Sequence, residues 1–376
     1  MCYSLVAMSE LHLEGYVMKV MYVVTGLGMG GAEHIVVSLA EQAYLQGHQV
    51  SIAYLTGEIK VKPHEHGINI ISIGMNGYKD FFRALWQLKR IINKTKPDVV
   101  HSHMVHANLI TRLTRILSPI PRLICTAHSS NEGGRLRMLA YRLTNRLADY
   151  TTNVSFEAAR ALEEKGAASK GEILVVANGV DTDRFNVKEE VSKRVADNEG
   201  SRVFNIISVG RLELVKDYPV LLKAVDLLKS RGHRINLKIV GDGSEKEKLL
   251  KHSFELGLTE TVEWLGVRKD IPLLLSQADI FVSASHYEGF GLVAAEAMSC
   301  KLPVVSTNNG GVSEVLGDSR WLVDIKSPLK LANKIEEMML LDDDKRKEIG
   351  KKNRNRVIEK YSLSTMYENY MNLYQS

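Results

Sequence analysis

Two glutamates and two cations carry the clearest chemical signal in the chain. Glu288 and Glu296 flank the run Gly289-Phe290-Gly291-Leu292. Glycine at 289 and 291 makes a tight turn, and Leu292–Ser299 is apolar and helical. Glu296 therefore lies about two turns beyond Glu288, and both carboxylates can face one cleft. The first N–H groups of such a helix favour phosphate. Glu296 stands in an otherwise apolar stretch, LVAAEAM, so its carboxylate needs a partner. A sugar diol and a neighbouring Lys or Arg both satisfy that need. Arg211 and Lys216 occupy the connection after another strand, in VGRLELVKD. Two cations at a sheet edge would neutralise a diphosphate; solvated surface charge is the plainer reading. A fourth group, Gly26-Leu-Gly28-Met-Gly30-Gly31, lies between a strand and a helix and satisfies GxGxxG. It fits a dinucleotide fingerprint, a loop that lets backbone approach a ligand, or a bare turn. No residue set for hydride transfer accompanies it.

These groups need a scaffold that brings strand ends together. Apolar runs at Val20–Thr25, Gln49–Leu55, Leu123–Ala127 and Tyr150–Asn153 alternate with helical patterns at Ala32–Gln46, Phe82–Thr95, His106–Leu117 and Arg135–Leu147. The alternation predicts a parallel, doubly wound sheet. After a polar stretch, Lys188–Ser201, the pattern restarts with a strand at Phe204–Val209 and a helix at Tyr218–Arg231. The expected architecture is α/β, with two Rossmann-like doubly wound domains facing each other across a cleft. Ligands of such sheets bind beyond the carboxyl ends of the strands, so the cleft is the expected site. Residues 18–185 form the first domain and 186–360 the second. The final helix, 361–376, has Met366, Tyr370, Leu373 and Tyr374 near helical spacing and packs on something. Residues 1–17 read as an extension, disordered or from an upstream start, and as a poor signal peptide.

The motifs resemble those of family 4 glycosyltransferases, also described as glycosyl transferases group 1, from Met18 onward. GLGMGGAE (26–33), DVVHSHM (98–104), CTAHS (125–129), VANGVDTDRF (176–185), VGRLELVKD (209–217), GDGSEKEKL (241–249), WLG (264–266), EGFGLVAAE (288–296) and GGVSEVL (310–316) carry the resemblance. It implies the GT-B fold and a retaining transfer from a nucleotide sugar without metal. Arg211 and Lys216 match the cations that hold the donor diphosphate and stabilise it as it leaves. Phe290, Gly291 and Leu292 match the turn whose amides face the phosphates. Glu296 matches the acid on the ribose hydroxyls, and Glu288 the acid beside the donor sugar. His128 matches a histidine near the transferred sugar. Gly28, Gly30 and Gly31 match a loop that closes on phosphate or acceptor. Arg268 falls near the base-binding edge, and His103 on the acceptor side. The C-terminal helix is expected to cross back to the first domain. Asp181-Thr-Asp183 resembles a metal-binding DxD, but its context fits the metal-free fold.

Composition bounds the partners. The 376 residues carry a formal charge of +5 and three cysteines, Cys2, Cys125 and Cys300, with no CxxC pair. A reducing compartment follows, without structural zinc, and no apolar run is long enough to span a membrane. The charge is uneven. Between residues 82 and 146, twelve Lys and Arg stand against Asp98 and Glu132 alone. Phe82, Trp86 and aliphatic residues intersperse the first of them. Such a helix either rests on an anionic membrane or packs its apolar side on its own sheet. No nucleic-acid module accompanies the charge. The expected enzyme moves a hexose or N-acetylhexosamine to a glycan or lipid-linked acceptor, with a UDP-sugar before a GDP-sugar, in cell-surface polysaccharide biosynthesis. It is expected to need no cofactor, and to be cytoplasmic or peripheral on the inner face of the plasma membrane. The rivals are a sugar-nucleotide epimerase or a phosphorylase of similar fold, and a non-catalytic nucleotide-sugar-binding subunit.

Overall fold

The computed structural model describes residues 17–130, 133–186 and 203–376. The expected extension at 1–17 lies outside them but for Val17, and most of the joint between the domains lies outside them too. Seven described strands form the first sheet: β1 (Lys19–Val24), β2 (Gln49–Tyr54), β3 (Asn69–Ser72), β4 (Val99–His103), β5 (Arg122–Ala127), β6 (Tyr150–Asn153) and β7 (Ile173–Val175). Their order is β3-β2-β1-β4-β5-β6-β7, and every pairing is parallel. The second sheet holds β8 (Phe204–Val209), β9 (Ile235–Val240), β10 (Val262–Gly266), β11 (Ile280–Ser283), β12 (Val304–Thr307) and β13 (Leu322–Val323). Its order is β10-β9-β8-β11-β12-β13, again parallel. The order reverses at β1/β4 and at β8/β11, which opens a crevice beyond the carboxyl ends of those strands.

Alternation along β1 shows why the first sheet is covered on both faces. Tyr22 and Val24 join a core with α1 (Gly31–Leu45) and the last helix, α13 (Leu363–Gln375). Met21 and Val23 join the opposite core with α2 (Phe81–Thr95) and α3 (Val105–Leu117). Side chains on a strand alternate between faces, so a run apolar throughout must be buried twice. Helix α13 lies on the first domain through Met366, Tyr367, Tyr370 and Tyr374. The chain reaches it beside Gly179: a Cβ there would lie 2.8 Å from the Leu363 Cα, so only glycine admits this approach. Asp342 caps α12 (Asp343–Tyr361) by accepting from the Lys345 N–H.

The basic stretch needs a correction. Arg112 is wholly buried and donates to the Tyr141 carbonyl, Thr144, Asn145 and Thr151. Arg115 pairs with Asp149 at 2.9 Å. These two cations bind α3 to its neighbours and add nothing to a free basic surface. On α2, Ala84, Leu85, Leu88 and Ile92 are buried while Phe82 and Trp86 stay exposed. Helix α4 (Arg135–Thr144) likewise exposes Leu136, Leu139 and Leu143. No helix among the described residues is long and apolar enough to cross a membrane.

Candidate functional site

The second domain builds its half of the cleft from the loops after β8 and β11. Arg211 follows the end of β8 and is exposed. Lys216 lies in a short 3-10 turn that ends at Asp217, held in the left-handed region at φ 45°. The Lys216 Nζ is 2.6 Å from Oε1 of Glu288, and the Ser285 hydroxyl donates to the same oxygen at 2.8 Å. The His286 N–H donates to the Val215 carbonyl at 2.8 Å, and its ring is paired with the Asp217 carboxylate. The two loops are thereby joined side by side. Glu288 is fixed by its backbone as well, donating to the Asn309 carbonyl and accepting from the Gly311 N–H.

Gly291, at φ 90°, begins α9 (Leu292–Ser299). A side chain there would be strained and would also meet Val312 at 2.4 Å. Phe290 is buried edge-on against Tyr361, so its side chain holds the turn and leaves the backbone to face a ligand. Glu296 lies one helical turn beyond Leu292. No described hydrogen bond or ion pair reaches its carboxylate. Desolvation pushes its pKa from 4.5 to about 8, against a weaker opposing pull from Arg184. The neighbouring Lys or Arg that sequence alone offered as a partner is therefore not in contact.

The first domain supplies the facing wall. His103 ends β4 and His128 follows β5; their Nδ1 and Nε2 atoms are 3.0 Å apart. Burial lowers both pKa values, that of His128 to about 4. The loop Gly28–Gly31 leads into α1, with the Glu33 carboxylate folded over Gly28 and Gly30. A Cβ on Gly31 would lie 3.7 Å from Leu292 of the other domain. The halves touch directly. The Ser155 hydroxyl donates to the Gly289 carbonyl at 2.6 Å, and the Tyr287 hydroxyl accepts from the Ser130 N–H at 2.6 Å. A Cβ on Gly289 would meet the His128 carbonyl oxygen at 2.5 Å.

Lys216, Glu288 and the Phe290–Leu292 turn thus gather at one cleft. His128 and Gly28–Gly31 stand on its opposite wall, and His103, expected on the acceptor side, is wholly buried against His128. The Arg268 guanidinium is paired with Asp270 at 2.8 and 2.6 Å on an exposed loop after β10. Asp181 spends its carboxylate on the N–H groups of Asp183 and Arg184. Ser285, Asp217, His286 and Tyr287 were not singled out from sequence, although three of them adjoin Glu288. Ser155 gave no local signal, because its partner lies 134 residues away.

The chain matches the family model described as Glycosyltransferase Family 4 over residues 29–184, and that described as Glycosyl transferases group 1 over residues 187–356. It belongs to the family 4 glycosyltransferases. Relatives of this glycosyltransferase include a D-inositol 3-phosphate glycosyltransferase of Corynebacterium jeikeium, 30% identical over 67% of this chain and 66% of that one. The capsular polysaccharide biosynthesis glycosyltransferase CapM of Staphylococcus aureus is 25% identical over 78% of this chain and 80% of its own. Among solved structures, Anabaena HepE in complex with UDP and glucose superposes with a TM-score of 0.80 at 20% identity, covering 96% of this chain and all of that one. That likeness is one of fold: the glycosyltransferase has the two-domain GT-B architecture.

Proposed function

We propose that this glycosyltransferase transfers a hexose or N-acetylhexosamine from a nucleotide sugar to a glycan or lipid-linked acceptor in polysaccharide biosynthesis. The observation that carries the reading is the set Arg211, Lys216, Glu288 and Glu296 beyond the β8/β11 reversal, closed over by Gly28–Gly31 and His128. Cationic side chains beside a diphosphate stabilise charge as it develops on the leaving group. The amides at the start of α9 add donors without a proton to lose. Glu296 suits a ribose diol, which would supply the hydrogen bonds its carboxylate lacks. Glu288 suits the hydroxyls of the donor sugar. Retention of configuration and independence from metal fit this charge arrangement, in which the departing phosphate accepts the proton of the incoming hydroxyl. HepE, whose structure was determined with UDP and glucose, supports a UDP-sugar as the first choice, and CapM, named for capsular polysaccharide biosynthesis, supports the polysaccharide setting.

The acceptor side carries the membrane reading. Phe82 and Trp86 on α2 and the three exposed leucines of α4 are interspersed with Arg90, Lys94, Arg135, Arg142 and Arg146, all exposed. An anionic bilayer surface complements that pattern. A thermal-shift panel of UDP, GDP, NAD and their sugar conjugates tests the donor reading. Stabilisation by a uridine or guanosine diphosphate, undiminished by EDTA, is expected; stabilisation by NAD alone would refute it. Neutralising Lys89, Arg90 and Lys94 should release the protein from anionic vesicles, and unchanged binding would refute the membrane contact.

A further inference from the structure

Three bonds join the loop after β8 to the loop after β11, one from each of three successive residues. The Val215 carbonyl accepts from the His286 N–H, the Lys216 ammonium pairs with Glu288, and the Asp217 carboxylate meets Nε2 of His286. Nothing local accounts for an aspartate at position 217. It holds φ 45°, the left-handed region, which glycine enters at no cost. It also stands at the start of helix α6 (Tyr218–Ser230), where an aspartate ordinarily accepts from the helix's own first N–H groups, yet its side chain makes no such bond. The carboxylate is turned instead to a ring 69 residues away. An ionised carboxylate only accepts, so the His286 ring donates Nε2–H. A strained residue persists where its surroundings over-determine it, and here the bond to His286 is what uses the aspartate.

The neighbours of this pair bear the chemistry. Lys216 adjoins Asp217, and Glu288 lies two positions after His286. Lys216 and Glu288 hold each other at 2.6 Å in the free protein. A diphosphate competes for the same ammonium, so that bond weakens at the moment when alignment matters. The Asp217–His286 bond spends neither Lys216 nor Glu288 and outlasts the exchange. We propose that Asp217 and His286 are positioning residues whose bond keeps the Lys216 loop in register with the Glu288 loop while Lys216 turns to the diphosphate. The register of the loops is a property of the free protein; only its consequence for turnover rests on the proposed function.

The test compares the full chain with Asp217→Gly, Asp217→Asn and His286→Phe. Glycine relieves the left-handed backbone and removes only the carboxylate, so this variant folds without the bond. Asparagine tolerates the same φ and keeps an acceptor for the ring. Hydrogen exchange of the free protein is read by mass spectrometry over peptides spanning 211–218 and 284–291. Both loops should exchange about tenfold faster in Asp217→Gly and His286→Phe, and as in wild type in Asp217→Asn. Release of UDP from UDP-glucose, with water as acceptor, reads the consequence. The Gly and Phe variants should lose about 10- to 100-fold in kcat with KM within about twofold, and Asn should stay within about threefold of wild type. The doubly substituted Gly/Phe chain should be no slower than either single variant. Unchanged exchange in Asp217→Gly would overturn the tether. Unchanged kcat, or losses that multiply in the double variant, would overturn its part in alignment. Circular dichroism checks folding, and Asp217→Gly decides alone should His286→Phe not fold. A wild-type chain that releases no UDP would count against the donor reading and leave the exchange rates to decide the tether.

Discussion

Glu296→Gln separates what this residue does for binding from what it costs the fold. The folded carboxyl ionises near pH 8 against an ordinary 4.5. Its pKa is raised on folding, so the stability linked to it is intact below pH 4.5 and is lost as pH rises through 8. Three and a half units at about 1.4 kcal/mol each set an upper bound of roughly 5 kcal/mol. The side chain keeps partial access to the cleft, so solvent lowers the expected value to about 2–3 kcal/mol. Glutamine has the same shape and no ionisation. The variant should therefore melt about 5–10 °C above wild type at pH 9, the shift expected for a domain of this size. The gap should close towards pH 5. Binding should run the other way: loss of charge-assisted bonds to a diol should weaken the nucleotide about 10- to 100-fold at pH 8–9. At pH 6 the wild type is itself protonated, and the affinities should converge. Calorimetric melts at pH 5, 7 and 9, with nucleotide titrations at pH 6 and 9, read both effects. Melting curves that keep a constant offset from pH 5 to 9 would refute the reasoning.

Arg211→Ala and Lys216→Met should each lower turnover about 100-fold at saturating donor, as loss of one stabilising charge at a developing anion does; a normal rate in steady-state assays would remove the residue from that role. Gly289→Ala places a methyl against the His128 carbonyl, 2.5 Å from where its Cβ must lie. Small-angle scattering should show the domains stepping apart, with activity down roughly 10- to 100-fold and nucleotide binding retained. Arg112→Met leaves Thr151, Asn145 and the Tyr141 carbonyl facing an apolar chain. It should cost about 3 kcal/mol in a urea titration, with donor affinity in the folded fraction unchanged.

Most of what positions the site is written locally. The β-branched run at Val20–Val24 and the period of Leu292–Ser299 define their elements within a few residues, because burial on two faces leaves an apolar pattern that needs no knowledge of partners. The Glu288/Glu296 spacing is legible for the same reason: a turn and a helix convert sequence distance into spatial distance. Arg112 is the opposite case. Its type says surface, and only contacts to residues 29 to 39 positions away make it a core residue. The pairing of Asp217 with His286 spans 69 residues and joins two loops, neither of which has a period to read. A raised pKa at Glu296 could be suspected from its apolar neighbours, but only the fold shows that Arg184 acts on it through space without pairing.

One contact between the domains has a mechanical meaning. Helix α5 (Phe156–Glu164) begins at the cleft, and its first N–H groups, on Phe156 and Glu157, donate to the carboxylate of Glu314 in the opposite domain at 3.0 and 2.8 Å. A helix start ordinarily finds such acceptors in its own chain segment. Ser155 caps α5 from its own segment by accepting from the Ala158 N–H, while the Phe156 and Glu157 N–H groups find their acceptor only while the two halves are together. Each separation of the halves would bare those donors to water, and each reunion would cover them again. The Glu314 contact thus couples the seam to the start of α5 by about 1 kcal/mol, the usual worth of a cap, beside the Ser155–Gly289 and Tyr287–Ser130 bonds.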